Sequence, residues 1–185
     1  MLVDVHTHLT HAQFEGDEDM VLERARAAGL QAVVVNGLEP ISNRRILAMA
    51  QANPLVKPAL GIYPVDAVCD QLPKDFALDV DMFDVDAEVG FIEAMAAAGK
   101  LAAVGECGLD AYWLGQQTFA RQEAVFEALI DIAMRHDLPI IIHTRKREQR
   151  AAEILRHAGA TRVDFHCYGG KVKPALRWAR EDGWW

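Results

Sequence analysis

The sequence predicts an α/β protein built on a closed parallel barrel, a single domain over residues 1–185. Apolar, β-rich runs alternate six times with segments of helical period. Runs such as AVVV (32–35) and PIIIH (139–143) are apolar at consecutive positions, the pattern of strands covered on both faces in a parallel sheet. Four of the runs end in metal-capable side chains, on strands 1, 4, 5 and 6. A closed barrel gathers distant strand ends around one mouth, whereas an open doubly wound sheet spreads them.

The elements follow in order. Strands are expected near residues 2–8, 31–36, 56–62, 101–106, 139–143 and 162–166, and helices near 17–29, 41–52, 86–99, 117–136, 147–158 and 172–182. In the longest helix, Phe119, Gln122, Phe126, Leu129, Ile130 and Ala133 trace one face with a single polar interruption. Gly29, Gly99 and Gly159 stand just past three of the helix patterns, where a left-handed C′ residue is commonly needed. Residues 65–84 fit neither period and read as a long acidic loop with room for one short helix. The fold class is thus a TIM-type (β/α)8 barrel with about six βα units; the pattern stops at GWW, so strands 7 and 8 are absent from it.

With 51% apolar and 25% charged residues the composition is that of a globular protein. No apolar run approaches the roughly 20 residues of a membrane span, and the N-terminus lacks a secretory pattern, so a cytoplasmic location and no membrane partner are expected. Cys69, Cys107 and Cys167 are odd in number and show no CxxC spacing, which favours reduced thiols. Alternation turns Cys107 and Cys167 away from the neighbouring candidate ligands and into the packing around the strands. A net charge of −8 disfavours a general electrostatic grip on nucleic acid without excluding it as a substrate, because bound cations and a local basic cluster offset the field.

The candidate metal ligands are His6 and His8 in VDVHTHL, Glu106 in VGECGLD, His143 in IIIHTR and His166 in VDFHCYGG. Period 2 points His6 and His8 to one face, so both imidazoles reach one ion. Imidazole and carboxylate without thiolate suit a hydrolytic centre with open positions rather than a structural zinc knot. A carboxylate in an apolar strand needs a partner, and cations are the natural one for Glu106. Asp4 shares the His6 face and is a candidate to orient an imidazole from behind, and Asp110 is expected to cap the loop after the fourth strand. His136 and His157 fall at helix ends, and His11 falls in a loop.

The motifs DVHTHL (4–9), GECGLD (105–110), IIIHTR (140–145) and FHCYGG (165–170), in this order, resemble those of the TatD family of metal-dependent deoxyribonucleases, amidohydrolase-like barrels. The resemblance implies two divalent ions (Zn, Mg, Mn or similar), one on His6 and His8, the other on His143 and His166, with Glu106 bridging them as the catalytic carboxylate. It places Arg145 near the substrate phosphate, and it implies a DNA or small phosphodiester substrate. Two departures stand out. GIYP puts Tyr63 where the family has a histidine; its phenol can donate a hydrogen bond to substrate but cannot carry a proton at neutral pH. The family's ETD aspartate on the eighth strand has no counterpart here. The expected function is metal-dependent phosphodiester hydrolysis, exonuclease-like. The alternatives are an ester or amide hydrolase, or a non-catalytic fragment whose barrel is completed by a second polypeptide or by self-association.

Overall fold

The computed structural model describes residues 1–185. Its six strands are β1 (Leu2–Thr7), β2 (Leu30–Asn36), β3 (Val56–Leu60), β4 (Ala103–Asp110), β5 (Ile140–Arg145) and β6 (Val163–His166). They alternate with α1 (Glu18–Ala27), α2 (Pro40–Ala52), α3 (Val85–Ala97), α4 (Phe119–Arg135), α5 (Glu148–His157) and α6 (Val172–Glu181). All neighbouring strands pair in parallel, in the order β1-β2-β3-β4-β5-β6.

The sheet is strongly curved. Five steps at about 4.8 Å would hold the outer strands of a flat sheet about 24 Å apart. Instead the rings of His6 on β1 and His166 on β6 stack with centroids 3.4 Å apart and planes 5° from parallel. The six strands therefore form a nearly closed barrel in which β1 and β6 are not hydrogen-bonded to each other.

Burial on two faces explains the consecutive apolar positions. Val33, Val35, Ile140 and Ile142 face outward into the main core, which also takes in Leu22, Ile46, Ile92, Phe126, Leu129 and Leu155 from the helices. Residues of the opposite parity, Ala59, Ala103 and Ile141, with Val34 against them, form a small separate cluster inside the barrel. Small side chains suit the narrow interior.

Two sequence expectations change and a third holds. β4 runs on to Asp110 because Cys107–Asp110 pair with Ile142–Arg145, so Asp110 ends the strand, fully buried, instead of lying in the following loop. Cys107 is buried as expected, but Cys167 is exposed at a positive φ of 49°, beyond the end of β6 where alternation no longer governs it. Residues 65–84 contain a 3-10 turn at Asp66–Gln71 and otherwise no regular element before α3.

The last residues lie along the outer edge of β6. The N–H of Trp185 donates to the carbonyl of Val163 at 3.0 Å, and that of Phe165 donates to Trp185 at 2.8 Å. Trp184 is buried against Phe165 and Trp178, and its indole N–H donates to the carbonyl of Ala160 at 2.9 Å. No helix is long and apolar enough to cross a membrane.

Candidate metal centre

Glu106 lies on β4, 3% exposed, and its two oxygens serve different neighbours. Oε2 is 3.2 Å from Nε2 of His6 and 3.0 Å from Nε2 of His8. Oε1 is 2.6 Å from Nδ1 of His143. The two Nε2 atoms of His6 and His8 are themselves 3.0 Å apart. Donors about 2.1 Å from one ion, in octahedral or tetrahedral array, stand about 3.0–3.4 Å apart. The spacing of His6, His8 and Glu106 fits that requirement, and their donor atoms form a cluster within 4.8 Å of one another.

Local structure holds these side chains in place. Nδ1 of His8 lies 3.1 Å from the carbonyl of Asn36; a proton there leaves the Nε2 lone pair free for a cation. The Glu106 N–H donates to the carbonyl of Gly37 at 3.1 Å. Buried Asn43 donates to the carbonyl of Gly61 at 2.9 Å and to Glu88 at 2.7 Å, fixing the end of β3 beside β4. Gly61 is the close-approach residue: a Cβ there would lie 2.4 Å from Gly105 C and 2.6 Å from the main-chain N and O of Glu106.

Electrostatics favour an ionised carboxylate. Burial pushes Glu106 up, but hydrogen bonds from His143, His6 and His8 outweigh it and hold the acid well below the usual carboxylate range. His8 is lowered by burial and raised more by Glu106 and by Asn36, for a net upward shift. His166 is shifted downward, first by burial and then by His6. Nδ1 of His6 is buried without a partner.

The remaining predicted residues divide. His166 pairs in register with His143 and stacks on His6, beside the cluster but outside the group of mutually close donors. The hydroxyl of half-buried Tyr63 lies 3.2 Å from Nε2 of His143. Burial, then the charges of Asp110 and Glu106, push that phenol far up, so it stays protonated. Arg145 is exposed, with its guanidinium 4.6 Å from the ring centre of Tyr112. Asp4 is exposed and accepts the main-chain N–H of His6 at 3.2 Å; it steadies the strand rather than orienting a ring. Asp110 caps the next loop, its Oδ1 accepting from the N–H groups of Tyr112 at 2.8 Å and Trp113 at 2.6 Å. His136 bonds Glu93 and His11 caps a short turn, and neither belongs to the donor cluster.

Sequence reasoning missed Asn43, Gly61 and Gln122. Gln122, the polar interruption on the α4 face, accepts the Asp110 N–H at 2.7 Å and donates to its carbonyl at 3.1 Å. A buried polar residue on an otherwise apolar helix face was the available signal.

A parallel α/β barrel carrying imidazoles around one buried carboxylate at its mouth has the architecture of the metal-dependent hydrolases. The chain matches the TatD related DNase model over residues 3–185 and belongs to that family. It is 33% identical over 177 residues to the uncharacterized metal-dependent hydrolase YabD of Bacillus subtilis, covering 95% of this chain and 64% of that protein. It is 31% identical over 175 residues to the 3'-5' ssDNA/RNA exonuclease TatD of Edwardsiella piscicida, covering 91% of this chain and 60% of that one. The crystal structure of the TatD homologue YjjV from Escherichia coli superposes with a TM-score of 0.80 at 27% identity, covering 99% of this chain and 66% of that one. The chain thus spans less than two thirds of the length of these curated relatives.

Proposed function

We propose that this chain carries the metal centre of a hydrolase that cleaves phosphodiester bonds of DNA from a strand end. The observation that carries the reading is the convergence of His6, His8 and His143 on the two oxygens of Glu106. The name of the exonuclease relative supports the substrate class. His6 and His8 would hold one divalent ion with Glu106, and His143 with His166 a second, Glu106 bridging. Bound there, the cations would supply Lewis-acid polarisation of a phosphoryl oxygen and lower the pKa of an attacking water.

The protein's own groups do the rest. Asn36 fixes the His8 tautomer, and the mount on Gly37 fixes Glu106. Arg145, exposed two residues beyond His143, would bind a non-bridging phosphate oxygen, and Tyr63, whose hydroxyl lies beside His143, would donate a hydrogen bond. We further propose that an added polypeptide segment covers the seam between β1 and β6, because β1 pairs only with β2 and exposes Leu2 and Val5.

The test is turnover by chelator-stripped protein reloaded with manganese, zinc or magnesium, on a labelled single-stranded oligonucleotide and on an ester panel. Metal-stimulated shortening of the oligonucleotide, lost in Glu106→Ala, is expected. Turnover of esters alone would replace the phosphodiester reading, and full activity in Glu106→Ala would reject the role of the carboxylate.

A further inference from the structure

Beyond the ligands, the mouth of the barrel carries two large aromatic side chains that the chemistry above does not use. Tyr112 is 51% exposed and Trp113 37% exposed, and their rings meet edge to face with centroids 5.0 Å apart. Two cations lie close to the first ring: the guanidinium of Arg145 at 4.6 Å and the ammonium of Lys146 at 4.9 Å from its centre.

Isolated exposed aromatics are common on protein surfaces. This pair differs in how firmly its backbone is held. The N–H groups of Tyr112 and Trp113 both donate to buried Asp110, and that of Ala111 donates to the carbonyl of Arg145 at 2.9 Å. Gln122 in turn grips both main-chain polar groups of Asp110. Three consecutive residues are thus fastened to β4 and β5, and through Asp110 to α4, while the two aromatic rings among them are partly open to solvent. Ordering such rings costs entropy at the moment of binding, and here the backbone share is already met.

We infer that Tyr112 and Trp113 form a stacking subsite for a nucleobase of a single strand whose phosphate reaches the metal centre, an inference that rests on the proposed nuclease reading. Asp110 lies four steps along β4 from Glu106, about 13 Å at the rise of a strand. A strand threading the mouth can therefore lay a base on the platform while a neighbouring phosphate meets Arg145. Stacking on a π-face requires an unpaired base, and it tolerates any base, so the subsite selects single strands without reading sequence. The neighbouring cations add charge attraction to the phosphates.

The experiment is binding of a thymidine pentamer and of an abasic pentamer with the same phosphates, in EDTA so that nothing is cleaved, followed by tryptophan fluorescence and by anisotropy of labelled strands. One stacked base should make the thymidine strand bind about tenfold tighter than the abasic one. Tyr112→Ala should bring that ratio near one, and Tyr112→Phe should restore it. The main-chain bonds to Asp110 survive both changes, so a fold defect would appear equally in the two. Equal affinities in the unsubstituted protein, no binding of either strand, or an undiminished ratio in Tyr112→Ala would each overturn the subsite. Base-dependent binding without metal-stimulated cleavage would leave the subsite standing and reject the nuclease reading.

Discussion

Replacing Glu106 by Gln keeps the shape of the side chain and removes its charge, which separates packing from ligation. In the metal-free protein the carboxylate takes part in three contacts, with His6, His8 and His143. With its oxygen turned toward His143, the amide keeps one of them. Losing two charge-assisted hydrogen bonds at the low end of about 1.5 kcal/mol each lowers stability by about 3 kcal/mol. The larger signal is linkage to the cation. At a manganese concentration 100 times its dissociation constant, the parent protein should gain about 2.7 kcal/mol. Loss of a partner one shell out weakens metal binding about 10- to 100-fold, so removal of a direct anionic donor belongs at or beyond the upper figure. A 100-fold weaker site gains only about 0.4 kcal/mol at the same concentration. The assay is urea denaturation of chelator-treated protein, parent and variant, with and without added manganese. Equal metal-dependent shifts in the two proteins would show that Glu106 does not touch the ion, however much the variant is destabilised.

Three further outcomes are expected. Gly61→Ala places a methyl group against main-chain atoms of Gly105 and Glu106, which no rotamer change relieves; stability should fall by about 3 kcal/mol and metal-dependent stabilisation should fall with it, both read from the same urea titrations. Asp66 is pushed up from 3.8 to about 7, first by burial and then by Glu39 and Asp81. Because the folded state holds this proton more tightly, stability is fully present below pH 4 and declines as pH rises toward 7, by roughly 3–4 kcal/mol at 1.36 kcal/mol per unit. Asp66→Asn should flatten that slope and exceed the parent in stability at pH 8; an unchanged slope would assign it to another group. Trp184→Ala removes a buried ring and orphans the Ala160 carbonyl, at a cost of about 3–5 kcal/mol, and a loss below 1 kcal/mol by thermal denaturation would show that the ring lies loosely on β6.

Much of the centre was legible because it rests on strand alternation, a purely local rule. His6 and His8 share a face by period 2, and the apolar runs ahead of Glu106, His143 and His166 mark strands without any knowledge of the tertiary structure. Their convergence demanded a curved sheet, and the stacked rings of His6 and His166 supply it. What escaped depends on partners far apart in sequence. Asn43 reaches Gly61 and Glu88, and Gln122 reaches back to Asp110; neither bond leaves a periodic trace. Asp4 was misplaced for a related reason: parity gives the face of a strand, but not whether that part of the face is covered. The length of β4 was misjudged because GLD has the composition of a turn, whereas pairing with β5 draws it into the sheet. Tyr112 and Trp113 leave no periodic signal either, because what holds their backbone is the buried Asp110 carboxylate.

The end of β2 has a consequence for how the rim moves. Two successive carbonyls, those of Asn36 and Gly37, receive the His8 imidazole and the Glu106 N–H. Donors from strands one and four are thereby bolted to a common bracket on a third element. When the rim breathes, that bracket carries both along together, so their separation is insulated from fluctuations in the distance between their parent strands.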